Sequence, residues 1–290
     1  MTRILLTGKT GQVGYELERS LQGLGEIIAF GRGQLDLANL LQVRDVIRAV
    51  KPNLIINPAA YTAVDKAESE PDLAMRINGE APGVMAEEAK KLGAAMIHYS
   101  TDYVFDGTKN TPYLETAPTC PINVYGATKL AGELAIQSAG IPHLILRTSW
   151  VYGMRGNNFL RTILRLAQER EELRIVADQH GAPTWCRTIA DTTAHIVALA
   201  KGAQDAQEWW QQRSGLYHLT AQGQTTWYGF TQAILENATL ANKPRLTAIP
   251  TQDYPLPAKR PTYSNLSCER LMNTFCGLPA WENALQLCQN

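Results

Sequence analysis

Tyr125 and Lys129 stand four residues apart in the run Val124-Tyr125-Gly126-Ala127-Thr128-Lys129, a spacing that places a phenol and an ammonium on one face of a helix. A free tyrosine titrates at about pH 10 and is a poor acid near neutrality. A fixed cation beside it favours the phenolate and brings the group toward the working pH. Tyr-x-x-x-Lys alone is common in proteins. Here it follows, in order, Thr7-Gly8-Lys9-Thr10-Gly11-Gln12-Val13-Gly14 and Ser100-Thr101-Asp102-Tyr103. The three segments together point to a reductase. A hydroxyl polarises a carbonyl, hydride arrival puts negative charge on its oxygen, and Tyr125 protonates that oxygen. Order and spacing relative to Tyr125 select Thr101 rather than Ser100 as the catalytic hydroxyl.

Gly8, Gly11 and Gly14 lie between an apolar strand and a helix, where a pyrophosphate needs an approach free of Cβ atoms and the open N–H groups of a helix start. The spacing is G-x-x-G-x-x-G rather than G-x-G-x-x-G. At the end of the second strand, Phe30-Gly31-Arg32-Gly33 carries no carboxylate for a ribose 2′-OH. Arg32, helped by Lys9, is suited to the 2′-phosphate of NADPH, with NADH the other option. Asp36 and Leu37, in Gln34-Leu35-Asp36-Leu37, are placed at the adenine. The small residues of Asn57-Pro58-Ala59-Ala60-Tyr61-Thr62 are expected to pass beneath the cofactor.

These residues need a frame, and the first half supplies one. Apolar blocks at 3–6, 27–30, 54–57, 95–99 and 143–147 alternate with helical patterns at 12–24, 41–50, 81–92 and 125–139. Continuous apolar strands between helices mean a parallel sheet covered on both faces, hence an α/β, doubly wound, Rossmann-type sheet. Residues 1–150 read as the dinucleotide-binding domain. Residues 151–290 read as a smaller mixed α/β domain for the substrate, possessing helices at 158–170 and 189–200 and able to exchange segments with the first. Residues 205–213, with Trp209-Trp210, read as an exposed connection, and four prolines between 250 and 261 exclude a regular helix there.

Composition narrows the function. In 290 residues, 27 basic and 27 acidic side chains balance, so no global field recruits nucleic acid or a membrane surface. Five cysteines without a C-x-x-C pair argue against a disulfide framework or zinc site and for a reducing compartment. With no signal-peptide pattern in residues 1–14 and no apolar run near the ~18 residues of a membrane helix, a cytoplasmic protein is expected. The five scattered histidines lack metal-ligand spacing and read as structural. Asp65 and Glu68 read as a capped helix face. Trp150 stands where a substrate pocket is expected to open, able to stack on a sugar ring or to pack in the core.

The segments His98-Tyr99-Ser100-Thr101-Asp102-Tyr103-Val104-Phe105-Asp106-Gly107, Tyr125 to Glu133, Arg147-Thr148-Ser149-Trp150-Val151-Tyr152-Gly153 and Gly181-Ala182-Pro183-Thr184 resemble the extended short-chain dehydrogenase/reductases. Within them the chain is similar, over essentially its full length, to the dTDP-4-dehydrorhamnose reductase family. That resemblance implies NAD(P)H-dependent reduction of the C4 ketone of dTDP-4-dehydro-L-rhamnose. It implies Tyr125 as proton donor, Lys129 as its partner and ribose ligand, and Thr101 as assisting hydroxyl. Gly11, Gln12 and Val13 would line the pyrophosphate, and Ala60, Tyr61, Thr62 and Tyr99 the nicotinamide half. Thr101, Asp102, Tyr125 and Trp150 would face the sugar. Some members hold Mg²⁺ between two subunits through carboxylates including Glu16. Arg187 stands where the second carboxylate aligns, so no metal and a monomer or weak homodimer are expected. Two alternatives remain at this point: a reductase of another nucleotide-linked 4-keto deoxysugar, and a dinucleotide-binding regulatory subunit without catalysis.

Overall fold

The computed structural model describes residues 2–239 and 242–290. Five strands in chain order, β1 (Arg3–Leu6), β2 (Glu26–Ala29), β3 (Leu54–Asn57), β4 (Ala95–Thr101) and β5 (His143–Thr148), join Gly215–His218 in one sheet. The spatial order is Gly215–His218, β5, β4, β3, β1, β2, every neighbouring pair parallel. Helices α1 (Gln12–Ser20) and Cys186–Gly202 cover one face, and α2 (Leu40–Val50), Ala81–Leu92 and Val124–Ala139 the other. The doubly wound sheet is therefore present. The chain reverses its direction of winding between β1 and β3, which opens a crevice at their carboxyl ends.

Local chemistry ends and starts these helices. Asn39, Asn123 and Asn158 cap theirs by accepting N–H groups of the first turn, and Gly93 and Gly140 close two C-termini in the left-handed conformation. After Trp150 the strands are short and paired two by two: Val151–Tyr152 with Thr184–Trp185, Glu172–Val176 with Arg245–Ile249, and His180–Gly181 with Thr225–Thr226. A separate apolar cluster around Tyr152, Phe230 and Trp281 forms their core. Among the described residues no helix is long and apolar enough to cross a membrane.

Three local expectations need correction. Residues 206–212 form a helix capped by Asp205, with Trp209 and Trp210 buried rather than exposed, packed edge to face on each other and with Trp209 against Phe275. Two adjacent tryptophans in a polar run carry no helical period, so the pattern hid them. The helix at Ala81–Leu92 begins earlier, at Pro71, and passes through a π-turn at Arg76–Glu80. The α1 helix stops at Ser20 and turns by Gly23, short of Leu24.

The buried carboxylate of Glu88 ties Ala81–Leu92 to α2. Arg48 binds it through two nitrogens at 2.7 and 3.0 Å, and Lys91 adds 2.7 Å. The Arg48 hydrogen bonds hold the acid down to about 2, against the opposing effect of burial. Replacing it by Glu88→Gln is expected to cost about 1–2 kcal/mol near neutral pH in urea denaturation, because the cations are half exposed and screened. The depressed native value makes this stabilisation complete above the unfolded carboxyl pKa. The difference between variant and wild type therefore closes as pH falls from about 4.5 toward 2.

Candidate active site

The crevice between β1 and β3 widens into a cavity of about 630 Å³. Gly8, Gly11, Gln12, Val13, Gly14, Arg32, Asp36, Leu37, Ala60, Tyr61, Thr62, Tyr99, Tyr125 and Lys129 all line it. Gly8 has φ +60°, and a Cβ there would lie 3.0 Å from the Ala59 Cβ; only glycine turns the chain so close to the next strand. A Cβ on Gly14 would collide with the Gly8 carbonyl oxygen. Unlike the helices capped by asparagine, α1 starts at Gly11 with no side-chain cap. Its N-terminus therefore opens on the cavity without a capping side chain, which fits a pyrophosphate. The cation beside Arg32 in the lining is Lys66, not Lys9. Lys66 escaped the sequence reading because it lies beyond the strand ends, on the short helix Val64–Ala67.

Tyr125 and Lys129 share the helix Val124–Ala139, and Lys129 is buried to 2% exposure. The Lys129 ammonium donates to the Tyr99 carbonyl at 2.6 Å and lies 3.2 Å from His98 Nε2. His98 Nδ1 in turn contacts Asn57 Nδ2 at 3.1 Å, and Thr7 donates to Asn57 Oδ1 at 2.6 Å. His98 thus belongs to the site rather than to the structural histidines. Burial pushes Lys129 down to about 8, with Glu133 opposing. Burial likewise pushes Tyr125 up to about 12, against the nearby Thr101 hydroxyl. The expectation that Lys129 lowers the Tyr125 pKa does not hold in this arrangement, because the cation is turned toward β4 and desolvation dominates both groups.

Thr101 ends β4 and caps the next turn by accepting the Tyr103 N–H at 3.2 Å; its hydroxyl donates to Asp102 Oδ1 at 3.1 Å. Thr101 and Asp102 are both buried and line neither large cavity. Ser100 lines the cofactor cavity with its hydroxyl unpartnered. The Tyr103 and Tyr125 rings meet edge to face at 5.9 Å, Tyr125 lining the first cavity and Tyr103 a second of about 1,030 Å³.

That second cavity is walled by Phe159, Trp227, Gln179 and the proline-rich stretch, with Arg170, Arg174, Lys259 and Arg260 as cations. Asp65 does not simply cap a helix: it holds Arg260 through two contacts of 2.7 and 2.8 Å and accepts the Ala258 N–H, which fastens the stretch beside the site. Glu68 likewise accepts the Val124 N–H at 2.9 Å. Trp150 adopts φ +46° and stacks on Trp227 at 3.6 Å, while a Cβ on Gly181 would sit 2.6 Å from its Cε2. Trp227 thus covers one indole face, and Gly181 lies close against the ring. These walls come from residues far apart in sequence with no shared motif. Arg187 pairs with Asp191 at 3.5 Å, and among the described residues no three His, Cys, Asp or Glu side chains gather to hold a metal.

The sheet order, the bare glycine turn and the Tyr125–Lys129 pair define an oxidoreductase of the short-chain dehydrogenase/reductase class. Residues 1–290 match the family described as RmlD substrate binding domain. The chain is 51% identical to the dTDP-4-dehydrorhamnose reductase of Burkholderia thailandensis, over 99% of this chain and 97% of that one. It is 49% identical to that of Escherichia coli K12, over 96% and 94%. The crystal structure of the Bacillus anthracis dTDP-4-dehydrorhamnose reductase in complex with NADP matches with a TM-score of 0.90 at 35% identity, covering 99% of each chain. The chain belongs to the dTDP-4-dehydrorhamnose reductase family.

Since the cradle has no room at Gly14, Gly14→Ala is expected to weaken NADPH binding at least ~10-fold in isothermal titration, the added methyl forcing the loop off its path.

Proposed function

We infer that the chain reduces the C4 ketone of dTDP-4-dehydro-L-rhamnose with NADPH, giving dTDP-L-rhamnose. The observation that carries this reading is the Tyr103–Tyr125 ring pair, which joins the lining of a cavity with an uncapped helix start to that of a cavity where Arg170, Arg174, Lys259 and Arg260 face Asp106, Glu172 and Asp253. NADPH supplies the hydride. Tyr125 gives its proton to the oxygen that becomes the C4 hydroxyl, and Thr101 steadies the charge developing there. Lys129 holds the cofactor ribose and, as the ammonium, steadies the phenolate that Tyr125 becomes when its proton leaves. The open N-terminus of α1 takes the pyrophosphate, and Arg32 with Lys66 takes the 2′-phosphate. Asp36 and Leu37 border the adenine, while Ala60, Tyr61, Thr62 and Tyr99 border the nicotinamide half. Asp102 and Trp150 border the sugar.

We place residues 1–150 as the cofactor domain and 151–290 as the sugar-nucleotide domain, the latter returning Gly215–His218 to the main sheet. A cytoplasmic location accords with five free cysteines, and a monomer or weak homodimer with Arg187 standing where a metal-bridging carboxylate would align.

In NADPH oxidation followed at 340 nm with enzymatically prepared dTDP-4-dehydro-L-rhamnose, Tyr125→Phe is expected to lower kcat about 10²–10⁴-fold. Faster turnover of another 4-keto sugar would reassign the substrate, and a folded, NADPH-binding wild type without turnover would favour the non-catalytic reading. Separately, Arg32→Ala is expected to lower the NADPH/NADH ratio of kcat/KM about tenfold, the worth of one exposed charge-assisted contact; an unchanged ratio would remove Arg32 from cofactor choice.

A further inference from the structure

Thr101 has one proton to donate. In this structure that proton goes to Asp102 Oδ1 at 3.1 Å, while the Thr101 oxygen accepts the Tyr103 N–H at 3.2 Å. Nothing remains for a substrate carbonyl. Asp102 itself is 2% exposed, and its Oδ2 has no hydrogen-bond partner. Among the described residues no cation compensates it. Lys129 is turned to Tyr99 and His98, Arg147 is bound to Glu133, and Arg260 is bound to Asp65. An ionised carboxylate with a bare, buried oxygen is unfavourable, whereas the neutral acid has a proton to place.

We propose that Asp102 is a proton-controlled positioning residue for Thr101: the neutral acid donates from Oδ1 to the Thr101 hydroxyl and frees it for the ketone, and the ionised acid captures it. Burial pushes Asp102 up to about 7, with the Ser264 and Thr101 hydroxyls opposing, so this control falls in the working range. The groups facing Asp102 are Ser264 from the C-terminal segment, Tyr125 from the helix Val124–Ala139 and Tyr103 from its own turn. Arg260 and Asp65 lie beyond Tyr103.

The proposal rests on the reductase reading. It predicts a basic limb in kcat/KM starting near pH 7, falling about tenfold per pH unit toward a floor about 100-fold lower, the worth of one lost donor to the oxyanion. Burial pushes Lys129 down to about 8, so the shape of the profile in two variants decides. In Asp102→Asn the limb is expected to move up to the Lys129 titration. In Thr101→Val, where no hydroxyl remains to be captured, the residual rate is expected to lose the same limb. A wild-type limb in either variant overturns the proposal. A second readout is independent of turnover. The infrared spectrum of wild type minus Asp102→Asn should contain a neutral-carboxyl stretch at about pH 6 that fades by about pH 8. Its absence also overturns the proposal, while an inactive wild type that shows the band defeats only the reductase reading.

Discussion

The close seating of the helix Val124–Ala139 against the turn after β4 and the π-turn at Arg76–Glu80 is the constraint on which the site depends. Two glycines permit it. A Cβ on Gly126 would run into the Tyr103 carbonyl, and one on Gly132 into the Asn78 carbonyl. There the Lys129 side chain is almost wholly buried and finds its acceptors on β4. One turn further on, Glu133 meets Arg147 of β5 through two contacts of 2.6 and 2.9 Å, both side chains buried. A buried ion pair adds little net stability compared with apolar packing, but separating its partners is costly. Its value here is to fix the rotation of the helix, and with it the direction of Tyr125.

The π-turn at Arg76–Glu80 serves the same end. It turns the Asn78 amide back into the protein, where it accepts the Tyr61 N–H at 2.8 Å and donates to the Tyr61 carbonyl and the Thr128 hydroxyl. One side chain thereby joins the loop under the cofactor cavity to the helix of the Tyr–Lys pair. An uninterrupted α-helix would shift the residues on either side of Asn78 by part of a turn, and π-turns are often retained where such a shift would spoil a site.

How much of this was legible in the sequence follows from what kind of interaction each element depends on. Strands β1 to β5 are continuous apolar blocks, because a parallel sheet buries both faces, and they were readable to within two residues. Gly8, Gly14, Tyr125 and Lys129 were readable because each is a local solution to a local problem: a tight turn, or two groups on one helix face. The direction of Lys129 was not, since nothing in a four-residue spacing says whether an ammonium turns to its neighbour or to the strand below. The tie between Asp65 and Arg260 spans 195 positions, and the packing of Trp150 against Trp227 and Gly181 draws on three separate segments. Such contacts leave no periodicity. They appear only once the chain has closed on itself.

Burial runs through every ionisable group at the centre of this site, and it acts in opposite directions on acids and bases. It raises Tyr125 and Asp102 and lowers Lys129 and His98. Each group is thereby pushed toward its neutral form. The anionic charge of a dinucleotide in the adjoining cavity favours the ammonium form of Lys129, opposite to the effect of burial. Groups held near neutrality avoid the cost of bare charges in a dry interior.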